Sequence, residues 1–335
     1  MILLTGGAGY IGSHTAVELS KAGYDFIIAD DFSNSNPSVI DAIQNIIKRK
    51  VMAYQINIAD VNALDQIFSL YKIDSVIHFA GYKSVGESIN KPIHYYRNNI
   101  DSTLTLVESM CRHHVNNLIF SSSASVYGVP LSVPICEDAP VGGCSSPYGW
   151  TKFFNEQILR DVASSNHDMS VILLRYFNPV GAHESALIGE NPRGVPTNLM
   201  PYITQVASGQ LGYLKIYGND YPTYDGTGVR DYIHVVDLAK GHIAAMQYAF
   251  SHNGINTFNL GAGRGYSVLD VVSAFEITNG VKVPFRFVPR REGDIPICYA
   301  DTNKAERYLG WHAQKSLSDM CKDAWRWQRT LNNVM

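Results

Sequence analysis

The stretch Met1-Ile2-Leu3-Leu4-Thr5-Gly6-Gly7-Ala8-Gly9-Tyr10-Ile11-Gly12 decides how the rest of this 335-residue chain is read. A short apolar run leads into glycines at every third position, and helix-like spacing follows from Ile11 to Lys21. The expected local structure is a strand, a tight turn and a helix. Such a turn lets backbone N–H groups approach a pyrophosphate, and the N-terminus of the helix supplies partial positive charge to hold it. The next strand would end at Asp30, 18 residues beyond Gly12. A carboxylate there accepts hydrogen bonds from an adenine-side ribose and repels a 2′-phosphate, which favours NAD over NADP.

Working outward, apolar runs recur at Met1 to Leu4, Phe26 to Ala29, Met52 to Ile56, Ser75 to Ala80, Leu118 to Ser121 and Ser170 to Arg175. They read as six buried strands. Amphipathic segments such as Val61 to Leu70 lie between them, so the rhythm implies an α/β fold: a doubly wound, Rossmann-type parallel sheet with helices on both faces, covering residues 1–177. From Asn178 onward the pattern loosens into Gly, Pro and Asn clusters, with short strands expected at Leu214 to Tyr217, Thr257 to Leu260 and Phe285 to Val288. Residues 178–335 therefore read as a smaller, loop-rich substrate domain. The apolar run Tyr232 to Val236 allows the segment near 229–240 to return to the first unit.

Composition narrows the class of partner. A formal charge of −3 and the absence of a Lys/Arg tract weigh against nucleic acid, while leaving open a ligand with one or two phosphates. Five cysteines, Cys111, Cys136, Cys144, Cys298 and Cys321, show no CxxC spacing and fit free thiols in a reducing compartment. There is no basic flank beside the apolar start and no apolar run of about 18 residues, so a cytoplasmic location is expected, with no membrane partner. The 11 histidines form no HExxH motif, and His113-His114 reads as a solvated pair, so no metal is expected.

The chemistry is expected at Tyr148-Gly149-Trp150-Thr151-Lys152, which opens a helix and puts the phenol and the ammonium on one face. Bringing a phenol from its usual value near 10 toward neutrality requires about 4 kcal/mol of preferential phenolate stabilisation. A nearby lysine and an oxidised nicotinamide would supply it jointly. Upstream, Phe120-Ser121-Ser122-Ser123-Ala124-Ser125-Val126-Tyr127-Gly128 follows the fifth strand, at the carboxyl edge where ligands of such sheets bind. Ser123 is placed to hydrogen-bond a reacting alcohol oxygen beside Tyr148.

TGGAGYIGSH, HFAG, SSSASVYG, SPYGWTK, LRYFNPVGAH, NLMPYI, DGTGVRDYIHV and REGD occur in order between Thr5 and Asp294, and this ensemble resembles the UDP-galactose 4-epimerase family of extended short-chain dehydrogenases. The resemblance implies that Tyr148 takes the proton of the sugar 4-hydroxyl while hydride leaves C4 for a bound NAD, with Lys152 keeping the phenol acidic and Ser123 bonding the oxygen. The 4-keto sugar would then turn and take the hydride back on its other face. It also implies cofactor contacts from Gly6, Gly9, Tyr10, Ile11, Gly12, Asp30, Asp31, Asn34, Ser35, Asn57, Ile58, Phe79, Ala80, Gly81, Lys83, Asn98, Ser121, Tyr176 and Phe177. Tyr148 and Lys152 touch the cofactor as well. Substrate contacts would come from Lys83, Ser123, Tyr148, Asn178, Asn198, Leu199, Leu214, Lys215, Tyr217, Arg230, Arg291, Asp294 and Cys298. Guanidinium groups suit a diphosphate through bidentate bonds; Arg290 beside Arg291 is alternatively a surface salt-bridge partner.

Two positions depart from the family. Asn57-Ile58 stands where an Asp is frequent, so an adenine amino group would meet a neutral amide oxygen. Cys298 stands where some members have a tyrosine lining the sugar pocket; the freed volume would admit a 2-acetamido group, unless Cys298 is simply a small buried hydrophobe. A nucleotide-sugar 4,6-dehydratase is disfavoured, because Ala124-Ser125 replaces the Asp-Glu that its elimination step needs. An NAD-binding regulatory module is disfavoured by the intact Ser123, Tyr148 and Lys152. A homodimer is implied by the resemblance, with helices from Pro92 to Cys111 and Tyr148 to Ala163 as its expected interface or, equally, as packing within the monomer.

Overall fold

The computed structural model describes residues 1–192, 194–291 and 293–334, apart from the side chains of 333 and 334. The first half alternates as expected: β1 (Ile2–Thr5), α1 (Tyr10–Lys21), β2 (Phe26–Asp30), α2 (Ser38–Ile47), β3 (Met52–Gln55), α3 (Val61–Leu70) and β4 (Ser75–His78). Three helices follow, α4 (Val85–Asn90), α5 (Pro92–Tyr96) and α6 (Ser102–Arg112), the last two joined by one π-helical turn over Arg97–Asp101. The helix expected to run unbroken from Pro92 to Cys111 is thus interrupted, as often occurs where a helix borders a functional site. β5 (Asn117–Ser123), α7 (Pro147–Ser165) and β6 (Ser170–Tyr176) complete the pattern.

The remainder comprises β7 (Asn178–Val180), α8 (Leu199–Ala207), β8 (Leu214–Tyr217), β9 (Val229–His234), α9 (Val235–Ala249), β10 (Gly254–Leu260), β11 (Gly265–Ser267), α10 (Val268–Asn279), β12 (Phe285–Val288), β13 (Ile297–Cys298), α11 (Asn303–Leu309) and α12 (Leu317–Val334).

Among the described residues, seven strands form one parallel sheet in the order β10-β6-β5-β4-β1-β2-β3. Two expectations are corrected here. The strand foreseen at Thr257 to Leu260 does not belong to the second unit; as β10 it extends back to Gly254 and pairs with β6 at the edge of the main sheet. β3 is not a buried strand, because it forms the opposite edge and leaves Met52 41% exposed. Of the segment near 229–240 expected to return to the first unit, β9 stays in the small sheet with β7, β11 and β13, whereas α9 packs on α1, β5 and β6.

Two apolar layers sandwich the sheet. Leu4, Ile28, Ile77, Ile119 and Ile172 face Val17 of α1 and Leu238 and Met246 of α9, whereas Leu3, Ile27, Val76, Leu118 and Val171 face Leu64 of α3, Leu106 of α6 and Leu159 of α7. Alternate residues of each strand thus enter opposite layers, as a period of two requires. A third cluster, with Ile203, Leu214, Tyr232, Phe275 and Met320, holds α8, α10 and α12 on the small sheets of the second lobe. None of the described helices is long and apolar enough to cross a membrane.

Candidate active site

β1 ends in the glycine turn, and the structure shows what each glycine does. Gly6 has φ +69°, and a Cβ there would lie 2.6 Å from Ala80 N; a Cβ on Gly12 would lie 2.6 Å from Gly6 O. These two close the turn and admit no side chain. Gly9 is different, since a Cβ would meet only Gly6 O at 3.2 Å. It is the N-cap of α1 and offers no side-chain cap, so the N–H groups of the first turn, from Tyr10 to Gly12, are left for an anion. Asp30 sits 7% exposed at the end of β2, where Oδ2 accepts from Ala8 N at 3.0 Å and Oδ1 from Phe32 N and Ser35 Oγ at 2.9 Å. Burial raises its carboxyl pKa and these bonds oppose the rise. An uncapped helix N-terminus, a turn closed to side chains and a buried acid at the next strand end fit a dinucleotide.

The remaining cofactor-side positions gather around this edge. Asp31 accepts from Ser33 N, Asn34 is exposed, and Asn57 is exposed with its Oδ1 engaged by Ala59 N, whereas Ile58 is buried. Phe79 and Ala80 both donate their N–H to Thr5 O, tying the end of β4 to β1. Gly81 abuts the Asn99 amide, and Asn98 donates to that same amide oxygen at 3.1 Å. Phe177 is buried, and Ser121 and Tyr176 hydroxyls are in contact.

The residues expected to react lie at the adjoining carboxyl edge. Ser146 caps α7 by accepting from Gly149 N, which sets Tyr148 and Lys152 in the first turns, both facing β5. Lys152 Nζ donates to Ser121 O at 2.6 Å and lies 4.9 Å from the Phe120 ring centre. Burial pulls its pKa down to about 8, with the Glu156 charge opposing. Tyr148 lies within hydrogen-bonding reach of Ser123. Burial raises its phenol pKa, and the opposing influence is the Ser123 hydroxyl rather than Lys152.

Across the cleft, Asp294 organises the basic residues. Arg291 Nε donates to its Oδ2 at 2.9 Å, and Arg230 Nη2 lies 3.9 Å from its Oδ1. Arg291 also covers the Tyr217 ring. Arg290 takes the alternative role: it pairs with Asp220 on the surface and stacks on Tyr221. Leu214 is wholly inside the second-lobe core, while Lys215 points outward and Leu199 is half-buried at the start of α8. Asn178 is exposed on β7. Cys298 packs against the apolar cluster that contains Val126, Tyr127, Ile135, Phe177 and Ala300, and burial raises its thiol pKa to about 11. His113 is not a solvated residue, since it stacks on Phe68 and lies 3.3 Å from Asp65. All five cysteines are free.

Sequence reading missed three groups. Glu156 and Arg175 form a buried pair under α7, and Glu156 stands four residues after Lys152, a spacing that placed it on the same face. Asn99, in the π turn, accepts from Tyr82 N and donates to Thr151 Oγ1. Glu190 lies in a loop without periodicity and joins Lys83 to Asn198.

A glycine turn at an uncapped helix N-terminus, a Ser-Tyr-Lys set at the same sheet edge and a pair of arginines held by Asp294 fit an NAD-dependent enzyme of the extended short-chain dehydrogenase type. The family model described as GDP-mannose 4,6 dehydratase matches residues 3–324. UDP-glucose 4-epimerase of Bacillus subtilis is 53% identical over 327 residues, 98% of this chain and 96% of the relative. A crystal structure of UDP-glucose-4-epimerase from Stenotrophomonas maltophila with bound NAD and formylated UDP-arabinopyranose aligns with a TM-score of 0.98 at 48% identity, over 100% of this chain and 99% of that one. The Bifidobacterium longum enzyme in complex with NAD+ and UDP gives 0.96 at 50% identity, over 100% and 99%. The chain belongs to the UDP-glucose 4-epimerase family, and it is an NAD-dependent isomerase of UDP-sugars.

Proposed function

We propose that the chain interconverts UDP-galactose and UDP-glucose through a 4-keto intermediate, and the observation that carries this reading is the Ser123-Tyr148-Lys152 set at the edge of the sheet beside the glycine turn. Bound NAD supplies the acceptor for the C4 hydride and later its source. Tyr148 Oη takes the 4-hydroxyl proton as the C4–H bond breaks, so the carbon leaves the step as a ketone. Ser123 holds the sugar oxygen, and Lys152 keeps positive charge near the phenolate. Arg230 and Arg291 grip the diphosphate, which stays in place while the keto sugar turns about its link to it. Tyr148 then returns the proton to an alkoxide formed on the opposite face, and C4 is inverted without net oxidation. Asn178 and Asn198 position the sugar, and Lys83 the nicotinamide-side ribose. Elimination of water is disfavoured, as Ala124 and Ser125 carry no group able to transfer the proton.

Cys298 leaves room for a 2-acetamido group, so UDP-N-acetylglucosamine and its galacto epimer are substrates in this reading. The division of labour between an NAD-binding unit and a nucleotide-sugar unit is retained, with α9 and β10 assigned to the first. Ile89, Ile93 and Phe154, exposed by 57%, 73% and 39% on α4, α5 and α7, support the homodimer interface, and a cytoplasmic location suits the free thiols. The test is to incubate purified protein, without added cofactor, with UDP-galactose and separately with UDP-N-acetylgalactosamine, and to resolve the products. Conversion of both is expected; conversion of the hexose alone removes the pocket argument, and no conversion even with NAD supplied removes the epimerase reading.

A further inference from the structure

Glu190 has no part in the mechanism above, yet it touches both halves of the site. Its Oε1 accepts from Lys83 Nζ at 3.1 Å and from Asn198 Nδ2 at 2.7 Å. Lys83 follows β4, and its ammonium lies 5.8 Å from the ring centre of Tyr10, the first residue of α1 after the glycine turn. Asn198 is the N-cap residue of α8 in the second lobe, and it makes no side-chain cap bond there. An asparagine at an N-cap ordinarily accepts from first-turn N–H groups, a contribution of about 1 kcal/mol. Here the amide donates to Glu190 and α8 goes without that cap.

The backbone that carries the carboxylate is held from behind. Trp327 Nε1 on α12 donates to Glu190 O at 2.9 Å. The preceding Gly189 lies against the same indole, where a Cβ would meet ring carbons at 2.5 Å, and it bridges Ala182. Glu190's side chain is 11% exposed and Lys83's 48%. An ion pair with one partner this exposed contributes little to stability, and fixing a lysine side chain costs up to about 2 kcal/mol of rotamer entropy. The arrangement makes a poor staple. It makes a good guide, because it settles the ammonium and the amide before either ligand binds, and preorganisation of that kind strengthens binding.

We propose that Glu190 is a positioning residue that couples cofactor-side Lys83 to sugar-side Asn198, so that each ligand finds the other's holder already placed. The inference rests on the roles given to Lys83 and Asn198 under the proposed function. Glu190 acts through those two residues.

The test uses the full-length holoenzyme and measures kcat and KM for UDP-galactose, retained NAD content and Tm for Glu190→Gln, Lys83→Ala, Asn198→Ala and their combinations. Glu190→Gln should lower kcat/KM by about tenfold or more and reduce retained NAD. Lys83→Ala and Asn198→Ala should be less than multiplicative together, and become multiplicative in the Glu190→Gln background. A Glu190→Gln protein with a lower Tm but unchanged kcat/KM and NAD content overturns the proposal in favour of a structural role. Multiplicative effects in the wild-type background also overturn it. If Lys83→Ala and Asn198→Ala each leave kcat/KM intact, the assignment of those two residues fails, and the inference with it, without reference to any Glu190 variant.

Discussion

Arg175 and Glu156 form a salt bridge entirely inside the protein: Nη2 donates to Oε2 at 2.6 Å and Nε to Oε1 at 2.9 Å, with each side chain only 2% exposed. Ser122 Oγ completes the Glu156 carboxylate at 2.6 Å, so β5, β6 and α7 meet at one point, a helical turn past Lys152. Removing one partner leaves the other charged and dry. Glu156→Ala should therefore destabilise by about 3–5 kcal/mol, while replacing both residues by apolar ones of similar volume should recover most of the loss. Urea unfolding midpoints check both.

Lys152 should imprint a pH signature on stability. Burial lowers its pKa from 10.5 to about 8, so between these values the unfolded chain binds a proton that the folded chain does not. Stability from this group rises with pH in that window, and below about 8 the full cost of burying the cation is present. The stability of wild type relative to Lys152→Met should accordingly improve from pH 8 to 10.5, followed by calorimetry; a flat difference would sink the assignment of a depressed lysine.

Tyr148 should titrate differently with and without cofactor. In the protein alone burial holds the phenol above its ordinary value of 10.0. Addition of NAD should lower it, visible as phenolate absorbance in wild type minus Tyr148→Phe. The same substitution should cut kcat by about 10²–10⁴.

The two kinds of glycine in the turn should part company. Gly12→Ala forces a Cβ onto the backbone of Gly6 and Gly7 and should lose about 1–3 kcal/mol of stability along with NAD. Gly9→Ala meets a single atom at 3.2 Å and should fold with a Tm near that of the cofactor-free wild type while retaining little NAD. Thermal melts and the nucleotide released on denaturation separate the cases.

Cys298→Tyr should keep turnover of the plain hexoses and lose that of the acetamido sugars, if the proposed opening of the sugar pocket by the small thiol holds; Cys298 packs against a closed apolar cluster, so the added ring needs new space. Product analysis with the two galacto substrates reads the difference; equal turnover of both would remove Cys298 from specificity.

The glycine turn, Asp30 and the Tyr148-Lys152 pair were legible because each depends on local spacing: a turn, a strand end, one face of a helix. β8 and β12 match the expected bounds to the residue, since Leu214–Tyr217 and Phe285–Val288 each place a single charged residue among apolar ones and are followed by Gly218 and Pro289. What escaped was set by distant partners. Nothing in Thr257 to Leu260 announces a place beside β6, because a local pattern does not reach the pairing of Gly254 with Ser170 or of Leu260 with Tyr176. Likewise the raised Tyr148 pKa follows from how deeply α7 is seated, and the Glu190 contact joins residues 107 and 8 positions apart.

The position of β10 bears on how the chain matures as it is made. A nascent polypeptide that has delivered residues 1–177 holds the whole glycine turn and the Tyr148-Lys152 pair. It also presents the unpaired edge of β6 and the bare apolar layer that α9 will later cover. Such a fragment carries the glycine turn, Asp30 and the Tyr148-Lys152 pair and lacks the strand and helix that make its sheet a closed body. It should therefore aggregate or engage chaperones until about residue 260 has emerged, and the cofactor half should not be obtainable as a soluble protein by cutting the gene at the point where the loop-rich half begins.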